Sequence, residues 1–283
     1  MQPRRIWQIG IVVADVAAAK AELEEALHLQ FREPVTYGFH DWRTRIALAR
    51  QGPPYLELLE GQPGSPWDGH TGSRLDHVSY WVEDIGAESE RLEREGFPVF
   101  IDGVSAGGAV NFHLLPATRL RLEPAGRAQQ EPIRQTWQIE DVEGGWTPGS
   151  PWQLGFMVLD IDAARDELSR ALGLEWTPVR RCDADELDVC LSLQGPPYFA
   201  LISASTTSAL AWRPRPRLDH LAYWADDLVG EGERLARVGV PMVQRIRPEI
   251  QLHHAPHSGV SLKMMDGDYR DVVRDKWGLA DVG

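Results

Sequence analysis

The chain has 283 residues, 43% hydrophobic and 25% charged, a globular composition too long for one small core, so two domains are expected at roughly 100–200 residues each. Its formal net charge of −13 speaks against nucleic acid, whose phosphates need a basic surface to displace counterions, and against an anionic membrane surface. A small anionic substrate remains compatible, because a pocket can be locally positive.

The opening MQPRRIWQIGIVV carries basic residues before a short apolar run ending at Asp15, too short for a signal peptide or membrane span. It reads as a strand over 6–13, with a helix starting near Asp15 and carrying Leu23, Ala26 and Leu27 at helical spacing. Strands follow around 42–49 and 54–60. A strand over 75–82, a helix over 84–95, a turn at Gly96-Phe97-Pro98 and further strands to 123 then repeat the plan. Cys182 and Cys190 fall in one predicted hairpin, which fits a reduced, cytoplasmic setting better than a structural disulfide.

The same pattern returns downstream. Trp7-Gln8-x-Gly10 recurs as Trp152-Gln153-x-Gly155, and QGPPY at Gln51 to Tyr55 recurs at Gln194 to Tyr198. Leu75-Asp76-His77 with Tyr80-Trp81 recurs as Leu218-Asp219-His220 with Tyr223-Trp224, and His113-x-x-Pro116 as His253-x-x-Pro256. Matches in one order at near-constant offset mean two homologous halves. Each half is itself double, so a strand, a helix and about three strands occur four times. The Gly- and Pro-rich stretch 126–150 reads as a linker able to lie against a domain through Trp137 and Trp146.

These strand–Asp–helix openings and the GPPYLELLEG strand resemble the vicinal oxygen chelate superfamily, which includes glyoxalase I, methylmalonyl-CoA epimerase, extradiol dioxygenases and bleomycin-resistance proteins. The resemblance implies an α+β fold: two tandem glyoxalase-like domains, each of paired βαβββ units forming a curled mixed sheet. Residues 1–125 would be the domain with the metal site, 126–150 a linker, 151–268 a domain with a degenerate site and 269–283 a tail. It also implies metal ligands on the first and last strands of each unit, here Gln8, Glu57, His77 and Glu123. That set is similar to the one with which animal-type glyoxalase I binds zinc. Zinc is the first expectation, with nickel, cobalt, manganese, magnesium or iron as others. Glu57 lies between Leu56 and Leu58, so strand parity turns it away from both and from Glu60. In Arg119-Leu120-Arg121-Leu122-Glu123 the residues Arg121 and Glu123 share parity, so a two-residue slip would put arginine at the ligand position.

The second-half equivalents are Gln153, Ala200, His220 and Lys263. Alanine cannot ligate and an ammonium repels a cation, so that cup is expected to be metal-free, either degenerate or able to hold an anion. Exchange of units between halves would break both sites, which favours pairing within halves. Asn111, His113 and His253 lie just before the last strands and are expected on loops that rim the cups. His40, Asp41, Trp42, Arg43 and Arg45 form a polar strand whose counterparts Asp185, Glu186 and Asp188 reverse the charge. Arg43 and Arg45 share a face that is either solvated or a clamp for a carboxylate or enolate-like substrate. Trp81 shares the His77 face and could wall the pocket, with Tyr80 pointing away.

By resemblance, the expected activity is that of a metal-dependent lyase or isomerase acting on a small carbonyl compound through a metal-stabilised enediolate, with Glu123 as base and Glu57 as second carboxylate. The alternatives are metal-free sequestration of a small molecule, as in bleomycin resistance, and an extradiol dioxygenase. The latter needs two histidines and one carboxylate, but Gln8 stands where the first histidine would be. A small-molecule substrate and a monomer or homodimer are expected.

Overall fold

The computed structural model describes residues 2–39, 41–105, 110–140, 146–182, 186–204 and 216–279. Its first half runs β1 (Ile6–Val12), α1 (Val16–Leu27), β2 (Val35–Phe39), β3 (Trp42–Leu48) and β4 (Tyr55–Gly61). The plan repeats with β5 (Arg74–Val82), α2 (Ile85–Arg94), β6 (Val99–Ile101), β7 (Phe112–Leu114) and β8 (Arg121–Gly126), followed by α3 (Gln130–Trp137). The second half opens with β9 (Gln153–Met157), α4 (Ile161–Leu172), β10 (Arg180–Cys182), β11 (Leu187–Leu191) and β12 (Tyr198–Ala204). It continues with β13 (Arg217–Ala225), α5 (Leu228–Arg237), β14 (Met242–Arg247), β15 (Ile250–Ala255), β16 (Val260–Asp266) and α6 (Arg270–Trp277).

Each strand-to-helix opening turns on an aspartate. Asp15, Asp84, Asp160 and Asp227 are extended, and each side chain accepts from backbone N–H groups of the first helical turn, which satisfies donors that a helix start leaves open. The strands form two eight-stranded sheets, ordered β2-β3-β4-β1-β5-β8-β7-β6 and β10-β11-β12-β9-β13-β16-β15-β14. β1 joins β4 in parallel and β5 antiparallel, while β5 joins β8 in parallel. Each sheet therefore joins the two units of one half, and no unit is exchanged. The fold is α+β, with two tandem domains, each a mixed eight-stranded sheet made from two βαβββ units.

One face of each sheet carries the helices. Leu23, Leu92, Leu168 and Leu235 from α1, α2, α4 and α5 pack with Ile9, Val78, Leu154 and Leu221 in one cluster that draws on both halves. Burying each such side chain contributes roughly 1.5–3 kcal/mol. Reciprocal polar locks join the halves: Glu22 accepts from His257 N, Ser258 N and Ser258 Oγ, and Glu167 accepts from Ala117 N, Thr118 N and Thr118 Oγ1. The opposite faces line two cups, with aromatic clusters around Trp7, Tyr55, Trp81 and Trp137 and around Trp152 and Tyr198. Within the stretch expected as a linker, α3 lays Trp137 onto the first of these clusters, and Thr147 N donates to Pro53 O. Among the described residues, no helix is long and apolar enough to cross a membrane. Both cysteines are free thiols.

Candidate metal centre

At the middle of the first sheet, β4, β1, β5 and β8 lie side by side, so their cup-facing residues meet at the floor of the first cup. Gly10 pairs with Glu57 on one side and with His77 on the other. Ser79 pairs with Glu123. The imidazole lies directly over Gly10: a Cβ there would come within 1.9 Å of His77 Cε1. Gly155 stands in the same relation to His220, at 2.0 Å. The glycine of the repeated Trp-Gln-x-Gly motif thus makes room for the histidine of the repeated Leu-Asp-His motif.

His77 Nε2 lies 3.2 Å from Glu123 Oε2 and 3.5 Å from Glu57 Oε2, and its Nδ1 lies 3.3 Å from Asp76 Oδ2. With Nδ1 beside Asp76, Nε2 is turned to the two glutamates, and once it gives up its proton its lone pair faces them, the arrangement that orients a ligating histidine. Asp76 is held in turn by Arg121 Nη1 at 3.0 and 3.1 Å. Gln8, buried at 2% exposure, is also a neighbour of Glu57. His77 Nε2 and Glu123 Oε2 are buried without hydrogen-bond partners, so their mutual approach lacks hydrogen-bond alignment.

Charge follows from this packing. Burial alone would lower the His77 pKa, but the carboxylates of Asp76, Glu123 and Glu57 around the ring outweigh it and hold it well above its ordinary value. Burial pushes Glu57 above the usual carboxylate range, with the Glu123 charge adding to that and contacts with His77 and Gln8 opposing it. Burial also acts to raise Asp76, yet the His77 contact and the Arg121 charge prevail and keep it low.

The residues present fit a divalent cation. One imidazole and oxygen donors from Gln8, Glu57 and Glu123 suit such an ion, and two carboxylates balance its charge. Adjacent donors of an octahedral site, each about 2.1 Å from the ion, stand roughly 3 Å apart, close to the 3.2 and 3.5 Å separations seen here. A cation would also satisfy the two orphaned atoms, which are otherwise costly to bury. Among the described residues, no group of three or more His, Cys, Asp or Glu side chains is set to hold an ion as it stands, so binding would require small side-chain turns. Gly10→Ala is expected to drive the His77 ring off the floor and weaken Zn²⁺ binding by about 10–100-fold. Competition with a chromophoric chelator measures this, and unchanged affinity would show that the ring is not a ligand.

Over the floor stands a cavity of about 280 Å³ walled by Trp7, Tyr37, Trp67, Phe112, Ile133 and Trp137. The residues expected to wall or rim the cups lie elsewhere. Arg43 and Arg45 are exposed on the other face of β3, where Arg45 pairs with Glu60 at 2.9 Å, while Thr44, Ile46 and Leu48 face the cavity. Arg43 and Arg45 thus form no clamp. His113 is fully buried on the helix side, with Nδ1 2.9 Å from Phe97 O and Nε2 3.0 Å from Ser89 Oγ. Burial lowers its pKa despite the Phe97 carbonyl. Asn111 bonds the same Ser89, and His253 is placed equivalently beside Val240 O. All three lie in the core rather than on a rim. Trp81 does share the cup side, but it stacks behind Trp7 at 4.6 Å instead of lining the cavity. Tyr80 points away and donates to Glu88 Oε1 at 2.8 Å. His40 and Asp185 lie outside the described residues.

Asp76 and the α3 wall were not singled out from the sequence, although a signal existed for each. Asp76 recurs beside the histidine as Asp219. The string Ile133-Arg134-x-x-Trp137-x-Ile139 recurs as Val273-Arg274-x-x-Trp277-x-Leu279, which carries the repeat into both cup-covering helices.

A family model described as Glyoxalase/Bleomycin resistance protein/Dioxygenase superfamily matches residues 7–113 and 152–255. A mutant of 4-hydroxymandelate synthase from Streptomyces coelicolor has a similar fold, with a TM-score of 0.64 at 15% identity, over 94% of this chain and 93% of that one. The Mn(II)-bound glyoxalase from Novosphingobium aromaticivorans gives a TM-score of 0.57 at 14% identity, over 94% and 82% of the two chains. BphC, a halotolerant catechol dioxygenase, gives 0.56 at 11% identity, over 94% and 87%. No curated protein matches the sequence.

Proposed function

Because the chain belongs to the Glyoxalase/Bleomycin resistance protein/Dioxygenase superfamily, we propose that its first cup is the site of a metal-dependent lyase or isomerase acting on a small carbonyl compound. The observation that carries this reading is the meeting of His77 Nε2, buried without a hydrogen-bond partner, with Glu57 and Glu123 under an aromatic cavity. Gln8, Glu57, His77 and Glu123 would hold the divalent ion. When bound, it would supply Lewis-acid stabilisation of negative charge developing on a substrate oxygen.

The chain's own groups divide the remaining work. Glu123, whose Oε2 has no other partner, takes the proton from the carbon next to the carbonyl. Glu57, which burial holds above the usual carboxylate range in the metal-free protein, is the second carboxylate and would bind the ion in its ionised form. Asp76 orients His77, and Arg121 steadies Asp76. Trp7, Trp67 and Trp137 receive the apolar part of the substrate and keep water from the reacting carbon. Zinc remains the first expectation, with manganese beside it because the similar Novosphingobium glyoxalase is Mn(II)-bound. Dioxygenase chemistry of the extradiol kind ranks lower, since the floor presents one histidine, with Gln8 in the place of another. A second reading rests on the same aromatic walls, which could sequester an aromatic ligand without metal.

Loading the protein with Zn²⁺ or Mn²⁺ and following solvent deuterium exchange at the α-carbon of small α-hydroxy and α-keto carbonyl compounds tests the proposal. Metal-dependent exchange supports the enzyme; ligand binding with neither metal uptake nor exchange favours sequestration.

The pH dependence of metal binding follows from His77. In the metal-free protein its raised pKa favours a second proton on the ring, and a ligated Nε2 must lose it. Metal affinity is therefore expected to rise about tenfold per pH unit below that pKa and to flatten above it. The stability of the metal-free fold depends on the same proton. The extra proton stabilises the metal-free fold fully below the unfolded histidine value of about 6.5, and that contribution is lost as pH rises through the folded value. Thermal melts of metal-free and loaded protein across pH 6–9 should diverge upward in pH, and parallel curves would contradict the assignment.

A further inference from the structure

The second cup keeps the architecture of the first and reverses its charge. Lys263 pairs with Ala222 at the position Glu123 occupies opposite Ser79, and Ala200 pairs with Gly155 as Glu57 pairs with Gly10. Lys263 Nζ donates to Gln153 Oε1 at 3.1 Å. An ammonium has three N–H donors, and among the described residues Lys263 makes no other hydrogen bond and no ion pair. Protein surrounds it on every side, but the side chain keeps some accessible surface because the cavity reaches it. Burial lowers its pKa to about 8, with the Cys182 thiol opposing and Arg247 adding like charge, so the amine is still mostly charged at neutral pH. The acid on the cavity wall, Asp219, is already engaged by Arg217 at 2.6 Å and by His220 at 3.2 Å.

The surrounding cavity, of about 140 Å³, is walled by Leu187, Leu191, Ile202, Leu252 and Met265 and covered by Trp277 of α6. A cation enclosed in apolar surroundings without a counter-ion costs free energy that an incoming anion would relieve. Loss of metal ligands alone would leave an apolar cup; it does not account for an ammonium aimed into one. We propose that the second cup is a binding site for a small carboxylate bearing an apolar group, with the carboxylate on Lys263 Nζ and the apolar body against the walls beneath Trp277. The proposal is independent of the first cup's chemistry.

Isothermal titration of the full-length protein with benzoate, and with the neutral isostere benzamide, tests it. One saturable benzoate site is expected, binding at least about tenfold more tightly than benzamide, because a charge-assisted contact distinguishes the two. Lys263→Met should remove that preference, whereas benzoate held on a first-cup metal would survive the substitution. In the wild-type protein, the ε-methylene resonances of Lys263 should shift with benzoate and not with benzamide, a readout that does not depend on how the variant folds. Equal affinity for the two probes, benzoate binding undiminished in Lys263→Met, or unmoved Lys263 resonances would each overturn the proposal.

Discussion

Replacing Glu123 by glutamine is expected to slow α-proton exchange at the substrate by about 10²–10⁴-fold, the usual contribution of a positioned general base. The amide keeps an oxygen donor, so metal should bind only somewhat more weakly, and a chelator competition run beside the exchange assay separates the two effects. Arg121→Ala is the informative contrast. A strand slipped by two residues would give Arg121 the position of Glu123, but Arg121 instead holds Asp76 and the Pro66 carbonyl. Its loss should therefore act more mildly, by loosening Asp76 and through it His77. If the arginine variant lost all turnover and the glutamine variant kept it, the ligands would reduce to Gln8, Glu57 and His77 and the base would lie elsewhere. His113 could not serve, because it is buried between β7 and α2.

His77→Ala is expected to remove most metal affinity. It deletes the nitrogen donor and also leaves Glu57 and Glu123 facing each other, two like charges that the ring now separates. Losing one ligand together with its oriented shell should cost well over the roughly 10–100-fold of a supporting residue. His220→Ala alters the corresponding ring of the second cup and should leave metal affinity unchanged, because Ala200 and Lys263 stand there in place of carboxylates. Equal losses in the two variants would mean that the second cup holds metal too.

The duplication, the four strand–helix units and the pairing within halves were all legible in the sequence, because each rests on residues with one structural use. An aspartate at a helix start and motifs that recur in one order have few alternatives, and pairing within halves follows from only the first half carrying the full set of donor residues. Alternation along a strand was less decisive. It shows which residues share a face but not which face meets the cup, so Arg43 and Arg45 were rightly grouped while the clamp reading pointed them inward. His113 misled for a related reason: a histidine beside a predicted loop suggests a rim, yet its ring is used twice in holding β7 to α2. The strand Val35–Phe39 left little trace, being five residues with a glycine. The cup-covering helices are short and polar, so Trp137 was expected only to lie against a domain and the tail only to form a short helix or extension, while the mirrored tryptophans mark both as covers.

The number of metal ions bound per chain tests the first cup's assignment most directly. Purified protein stripped with chelator, reconstituted with Zn²⁺ and freed of excess should contain one ion per chain by elemental analysis, and the Glu57→Ala variant should contain none. Two ions per chain, or none after reconstitution, would contradict it.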